Sequence, residues 1–299
     1  MTTLPSVLQT QGYLVAFIDL LGIANDLLKF DGIDGTPSSQ ADRATMAWAS
    51  IALFRRHFDL YYKGVEEGYA EWPADKLPPS KHEVWNRRLP PKPIVQSFSD
   101  CVTVHVPLDG SRPSSFYSAF HTLLCACGGA ALVSLGTGRA VRGAVAIGRG
   151  APLSEHEVVG SGLVKAYKME SGEAVVPRVL VHPELLAYAE HELSRPQDWN
   201  PDELVIARST MDCCWNILRR DQDGYVFIDY LGGEVWGLLA DDRREIYQGI
   251  CKSVAAGLAA GDITTESGRK LQAKWNWLAA YWQQSPAHAE LAAKTKEEA

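Results

Sequence analysis

Apolar runs that predict strands alternate along the chain with stretches of helical periodicity. Residues 13–19 form an almost unbroken apolar run, which predicts a buried strand. Residues 41–62 place apolar side chains on one broad face and predict a helix. Residues 94–106 predict two β runs joined tightly at Ser99 and Asp100. The pattern further predicts a helix at 113–134, a strand at 139–148, helices at 160–171 and 183–193, strands at 176–182 and 224–231, and two closing helices at about 240–260 and 264–284.

Two segments depart from this alternation. Residues 63–93 are rich in proline and charge, which predicts an exposed insertion or long loop. Residues 293–299 are expected to fray.

The predicted order of elements is β-α-β-β-α-β with additions, the order of a ferredoxin-like α+β sandwich. We expect a catalytic domain over residues 1–195. Residues 196–299 are expected to form a C-terminal extension, packed on the same domain, with a strand and helices.

Composition narrows the classes of function. The chain is 46% hydrophobic and has a net charge of −7, without a block of basic residues, which argues against tight binding to duplex nucleic acid. The N-terminus has no signal-peptide pattern, and no uninterrupted apolar run reaches the roughly 18 residues of a membrane span. The six cysteines have no metal-ligand spacing and suit reduced thiols. These features predict a cytoplasmic protein.

Two carboxylates fall at neighbouring corners of the predicted fold. Asp19 ends the first strand, and Asp100 lies in the hairpin turn that follows the first helix. Either residue alone has an ordinary alternative as a turn former. Together they suit a divalent cation such as Mg²⁺ or Mn²⁺, which prefers oxygen ligands and is usually completed by substrate phosphates.

Four stretches resemble the motifs of class III nucleotidyl cyclases, in the same order over residues 13–182. "FIDLLGI" is similar to their first metal-binding strand and turn, and "FSDCVTV" to their second metal-binding hairpin. "VRGAVAIGRG" resembles their Arg-x-Gly-x-x-x-Gly strand, and "VVGSGLVKAYKMES" resembles a Gly-led helix that normally carries an Asn and an Arg.

The departures from the family pattern lie in the base pocket. Gln96 stands where adenylyl-type members have a base-recognising Lys, and Glu157 stands where they have Asp. Val164 and Lys168 replace the Asn and Arg of the helix. With the short stand-alone chain, these features resemble the bacterial pyrimidine cyclases of Pycsar anti-phage systems, which make cyclic UMP or cyclic CMP to activate a separate effector protein.

The resemblance implies a conversion of UTP or CTP to the cyclic monophosphate and pyrophosphate, with UTP favoured. It also implies two Mn²⁺ or Mg²⁺ ions as cofactors and a head-to-tail homodimer, in which Lys168 of one subunit completes the site of the other. The implied roles are metal binding by Asp19, Asp100 and the backbone of Leu20; substrate binding by the backbone of Leu21, Gly22 and Ile23 and by Gln96, Arg142, Glu157 and Val164; and catalysis by Lys168 beside the two acids.

Alternatives remain open. Arg142 also suits a surface ion pair, and Glu157 a solvated acid. The chain as a whole also fits a purine cyclase, a polymerase-like nucleotidyltransferase, or a degenerate cyclase domain that binds a nucleotide or partner without turnover. The changes to Val164 and Lys168 favour the degenerate reading, and the intact Asp pair argues against it.

Overall fold

An eight-stranded, mostly antiparallel sheet forms the centre of the protein, in a computed structural model that describes residues 10–23, 37–71, 82, 88–108, 113–195, 199–239, 243–260 and 263–289. The strands are β1 Gln11–Leu20, β2 Ile94–Phe98, β3 Cys101–Leu108, β4 Val141–Ser154, β5 Glu157–Gly160, β6 Val179–Val181, β7 Leu218–Arg220 and β8 Val226–Ile228. The helices with described bounds are α1 Pro37–Glu71, α2 Pro113–Gly136, α3 Ser161–Glu173, α4 Pro183–Leu193, α5 Pro201–Ile217, α6 Gly233–Gly237, α7 Arg243–Ala259 and α8 Glu266–Gln283.

The order of strands in the sheet is β2-β3-β1-β4-β6-β8-β7, and β5 pairs with β4. Within the described residues, the first six elements run β1-α1-β2-β3-α2-β4, and these four strands pair with one another in antiparallel fashion, whereas β4 is parallel to β6 on its other side. The predicted α+β class is therefore confirmed. The central position of β1 places its end beside both the β2–β3 turn and the start of β4.

Strand β1 is covered on both faces, and its side chains divide between two clusters. Leu14, Ala16 and Ile18 point into the main core. Tyr13 and Val15 point to the opposite face, where they pack in a smaller cluster that includes Ala166 of α3. Because side chains alternate along a strand, Asp19 lies on this second face, beneath α3.

Glycine allows α3 to approach the sheet closely. A Cβ atom at Gly148 of β4 would lie 2.3 Å from the backbone nitrogen of Gly162, and real Cβ contacts do not occur at that distance. A side chain at Gly148 would push α3 away from β4. This contact sets the position of α3 and of every side chain it aims at the sheet.

Helix α2 lies in the main core. By length and composition, Ser114–Gly136 could cross a membrane, but 89% of its most apolar stretch is buried inside the protein. Scattered Ser, Thr and His residues interrupt the apolar run, so a search for unbroken runs misses this helix. Its burial is that of a core helix.

The C-terminal residues share the sheet and the main core with the rest of the chain. Strand β8 pairs with β6, and the main cluster of buried apolar side chains runs from Leu14 to Ala287. Arg178 joins the two parts: its guanidinium is buried and forms ion pairs with Asp221 and Asp223, in the turn before β8.

The structure corrects the prediction for residues 63–93 in part. Helix α1 continues to Glu71, so 63–71 are helical and not a loop; residues 72–81 and 83–87 lie outside the described residues. No proline occurs between residues 38 and 72, and Lys63 pairs with Glu67 one turn later at 3.2 Å. Strand β4 also extends beyond 148 to Ser154 and turns back as β5, and neither α5 nor β7 was predicted from the hydrophobic pattern. Residues 293–299 lie outside the described residues.

Candidate active site at the end of β1

The end of β1 and the β2–β3 turn meet as the sequence predicts. The Leu20 N–H donates a hydrogen bond of 3.2 Å to the Asp100 carbonyl, and Asp19 is the cross-strand partner of Cys101. One ligand atom from each of Asp19, Asp100 and Cys101 lies within 4.8 Å of the other two. Two carboxylates therefore converge at one point, with a thiol beside them.

The turn that carries Asp100 is a two-residue hairpin. Phe98 pairs with Cys101, and the intervening Ser99 has a positive φ of 52°. Two-residue hairpins require a positive φ at the first turn residue, where glycine is usual. Ser99 accepts this less favourable conformation, and the turn holds Asp100 against β1.

Arg142 connects the acid pair to a third, buried acid. It is the cross-strand partner of Asp19 on β4, and its Nε–H donates a hydrogen bond of 2.8 Å to Asp19 Oδ2. The same Nε lies 2.7 Å from Oε1 of Glu170 on α3. Because Nε carries one proton, and that proton is aimed at Asp19, Glu170 Oε1 is in ionic contact but receives no hydrogen bond from the described residues.

The electrostatics of the cluster are unfavourable to its negative charges. Burial raises the pKa of Asp19, and the Arg142 hydrogen bond only partly opposes this effect. Burial also raises the pKa of Glu170, with Arg142 opposing it and the charge of Asp19 adding to it. Lys274 of α8 is close enough to interact with both acids, and burial lowers its pKa. Burial thus disfavours the charged form of both acids, and a cation bound beside them would oppose this effect.

The donor set fits a hard divalent cation. Asp19 and Asp100 offer carboxylate oxygens, which Mg²⁺ and Mn²⁺ prefer. Burial, followed by the neighbouring carboxylates, raises the pKa of the Cys101 thiol to about 12, so this sulfur stays protonated near neutral pH. Asp19 and Asp100 would hold the ion, and Arg142, which binds Asp19 Oδ2, would compete with it for the Asp19 carboxylate.

The backbone of the β1 turn is partly engaged within the chain. The Leu20 N–H bonds Asp100, and the Leu21 N–H donates to the Ala140 carbonyl at 3.0 Å, which leaves neither donor for a phosphate. Gly22 has a φ of +90°, the left-handed conformation that favours glycine. The Ile23 side chain is buried in the main core.

The predicted base-recognising residues lie apart from the acid cluster. Gln96 is buried on β2, where its Nε2 donates to the His156 carbonyl and its Oε1 accepts from Thr103 at 3.3 Å. Glu157 is exposed at the start of β5. The Gln96 amide therefore forms its hydrogen bonds within the protein.

The predicted residues Val164 and Lys168 lie on the exposed side of α3. They are one helical turn apart, whereas Gly162, Ala166, Met169 and Glu170 form the buried face. Val164 borders the apolar groove beside the acid cluster, and Lys168 forms no ion pair with Asp19 or Asp100 among the described residues.

A shallow apolar groove of about 320 Å³ lies next to the acid cluster. It begins at Cys101 and contains the exposed aromatic rings of Phe98 and Tyr167, the latter in edge contact with Phe17. Its full lining is Phe17, Phe98, Cys101, Thr103, Leu163, Val164 and Tyr167.

Sequence reasoning missed three members of the site: Cys101, Glu170 and Lys274. A signal for Glu170 is present in the sequence, because it lies four and eight residues after Ala166 and Gly162 and so falls on the apolar face of α3. Cys101 follows Asp100 directly in the sequence. It was overlooked because the cysteines were considered only by their spacing from one another. Lys274 carries no comparable signal.

A scan against protein-family models finds no match, and a search of curated proteins finds no similar sequence. The chemistry of this site therefore has to be argued from its own residues.

Proposed function

We propose that this protein is a metal-dependent nucleotidyl cyclase. It converts a pyrimidine nucleoside triphosphate, UTP in preference to CTP, into the 3′,5′-cyclic monophosphate and pyrophosphate. The observation that carries the proposal is the convergence of Asp19 and Asp100 at the end of β1, with ligand atoms within 4.8 Å. A class III cyclase core is the finer fold assignment that accompanies it, and the β2-β3-β1-β4 order supports it.

The reaction needs an in-line attack of the ribose 3′-oxygen on the α-phosphorus. The 3′ O–H loses its proton to solvent, a new P–O bond closes the ring, and the bond to the β-phosphate oxygen breaks to release pyrophosphate. Mg²⁺ or Mn²⁺ ions, when bound, would stabilise the charge on the 3′-oxygen and on the phosphates. Asp19 and Asp100 would hold them.

Arg142 is suited to bind the leaving pyrophosphate. Only its Nε is engaged, so within the described part of the chain its terminal amino groups donate no hydrogen bond. Those four N–H donors match phosphate oxygens in a planar fork. Lys274 would add a second positive charge from α8.

The groove beside Cys101 is suited to hold the base. Its volume is at the small end of ligand sites, and its aromatic side chains offer flat faces to a single ring. The Thr103 hydroxyl donates its proton to Gln96, so its oxygen would be left as an acceptor for a donor group of the base. Glu157 would contribute an acceptor from the rim. The preference for UTP over CTP follows from the family resemblance.

The proposal includes a head-to-tail homodimer. Lys168 is exposed on α3 and forms no ion pair with Asp19 or Asp100 of its own chain among the described residues, as expected if the partner subunit's Lys168 completes each site. Symmetry would then give two equal sites. In this account the enzyme works in the cytoplasm of a bacterium, and its cyclic product activates a separate effector in anti-phage defence.

One observation favours a second candidate, a domain that binds nucleotide without turnover. The Arg142 guanidinium already occupies one of the two Asp19 carboxylate oxygens, so it would compete with a cation for that carboxylate. A purine cyclase is the other alternative, since the fold does not determine the base.

A competition assay separates these possibilities. The purified protein is incubated with Mn²⁺ and all four triphosphates at equal concentration, and the products are identified by mass spectrometry. Cyclic UMP as the main product, with cyclic CMP second, supports the proposal. Dominant cyclic AMP or cyclic GMP indicates a purine cyclase, and binding without any cyclic product indicates the non-catalytic domain.

A further inference from the structure

Arg142 lies between two carboxylates that compete for one proton. Its Nε is 2.8 Å from Asp19 Oδ2 and 2.7 Å from Glu170 Oε1, and only the first contact has hydrogen-bond geometry. The distances are nearly equal, so a small rotation of the guanidinium or of a carboxylate transfers the hydrogen bond from Asp19 to Glu170.

Glu170 is a buried hydrogen-bond acceptor that lacks a donor among the described residues. Its side chain is 3% exposed, and its Oε1 has no hydrogen-bond partner among the described residues. A buried carboxylate without a donor is costly in a folded protein. It occupies the apolar face of α3, whose distance from the sheet is set by Gly148 and Gly162.

The geometry points to Glu170 as a positioning residue for Arg142: when Asp19 takes up a divalent cation, Glu170 accepts the Nε–H that Asp19 gives up. Arg142 then stays beside the site with its terminal amino groups directed at the substrate, and it no longer competes with the cation for Asp19. This inference rests on the proposed function, because it assigns a cation to Asp19.

Without the Glu170 carboxylate, a cation would displace the guanidinium from Asp19 with no second charged acceptor beside Nε among the described residues. A glutamine in its place still accepts a hydrogen bond, but without the negative charge that makes a contact with a guanidinium strong. We therefore expect Glu170→Gln, which keeps the shape of the side chain, to weaken Mn²⁺ binding by about tenfold, equivalent to about 1.4 kcal/mol. Arg142→Gln should strengthen Mn²⁺ binding, because the competitor is gone.

The test is a titration of the full-length protein with Mn²⁺, without nucleotide, with free Mn²⁺ followed by electron paramagnetic resonance. Glu173→Gln is the matched control, since it removes the same charge from the exposed end of the same helix. Asp19→Asn identifies the binding that depends on Asp19. Combining Glu170→Gln with Arg142→Gln completes a double-mutant cycle.

The cycle separates positioning from simple charge. If Glu170 acts through Arg142, Glu170→Gln should change the affinity by less than about threefold in the Arg142→Gln background. An equal loss in both backgrounds would mean that Glu170 only adds negative charge, and it would overturn the inference. So would unchanged affinity in the Glu170→Gln chain, or a wild-type chain that binds no Mn²⁺ through Asp19.

Two further outcomes are distinguishable. If the wild-type chain binds Mn²⁺ and shows the expected cycle but makes no cyclic nucleotide, the cyclase proposal fails and the role of Glu170 stands. If Glu170→Gln does not fold, Glu170→Asp decides the matter in the same way: it keeps the charge but withdraws the acceptor, so wild-type affinity in that chain contradicts the inference.

Discussion

The buried ion-pair cluster around Arg178 should hold the C-terminal part of the chain to the sheet. Arg178 is 1% exposed and forms ion pairs with Asp221 and Asp223. Its Nη1 also donates a hydrogen bond of 3.1 Å to Asp223 Oδ1. The indole N–H of Trp277 donates to Asp221 at 3.0 Å, which links α8 to the same cluster. Replacing Arg178 by Met keeps most of the volume and removes the charge.

The exposure of the two acids determines how far each substitution lowers the free energy of unfolding. Asp221 is 18% exposed, so it would be left as a largely desolvated charge, and removing one partner of such a pair costs about 3–5 kcal/mol. Asp223 is 44% exposed, so water screens its pairing, and its share is below about 1 kcal/mol. We expect Arg178→Met to lower the free energy of unfolding by about 3 kcal/mol, and Asp223→Asn by less than 1 kcal/mol.

Urea unfolding, followed by far-UV circular dichroism and by tryptophan fluorescence, measures the free energy of unfolding of both variants. Both signals should move together in both variants, because the C-terminal residues share the main core with the rest of the chain. A loss of less than 1 kcal/mol in Arg178→Met, or equal losses in the two variants, would refute the reasoning about burial.

Three other predictions concern separate parts of the molecule. His105→Leu should raise the free energy of unfolding at pH 7 by about 1 kcal/mol, because both ring nitrogens are buried with no hydrogen-bond partner in the described part of the chain. Burial lowers the pKa of His105 from 6.5 to about 4, so between these pH values the unfolded chain binds a proton that the folded chain does not. The wild type should therefore lose stability as pH falls from 6.5 to about 4. A His105→Leu variant that loses as much stability over this range would contradict the prediction. Gly22→Ala should lower the free energy of unfolding in urea by about 1 kcal/mol, because Gly22 has a positive φ. Gly172→Ala, in open space on α3, should raise it by a few tenths to about 1 kcal/mol. A change in the same direction in both variants would contradict this prediction. Finally, Asp19→Ala and Lys168→Ala chains, each inactive alone, should regain activity when mixed, because one site of the heterodimer carries neither change; no recovery after demonstrated subunit exchange would place a complete site in each chain.

The local pattern was sufficient to predict the acid pair. Asp19 ends an apolar run and Asp100 sits in a tight hairpin, and the order of the intervening elements makes their strands neighbours. The length of α1 was mispredicted because the prolines and charge of 63–93 were taken to describe the whole segment, although its first proline is residue 73.

The role of Glu170 depended on tertiary contacts that no local pattern contains. Its place on an apolar helical face was visible, but its partner Arg142 is set by the register of β4 and by the close approach of Gly148 and Gly162. Lys274 is more than 100 residues from any of these in sequence and joins them only because α8 packs back toward the site. Such long-range placement requires the fold.

The central claim is that Asp19 and Asp100 form one metal-dependent cyclase centre. Its most direct measurement is the amount of cyclic UMP formed from UTP and Mn²⁺ by the wild type, Asp19→Asn and Asp100→Asn, with Asp212→Asn, an exposed acid on α5, as the control. The wild type and the control should form cyclic UMP. Asp19→Asn and Asp100→Asn should each form at least about a hundredfold less, since each loses a ligand to a cation that stabilises the transition state by several kcal/mol. Near-wild-type product from either Asp19→Asn or Asp100→Asn would contradict it.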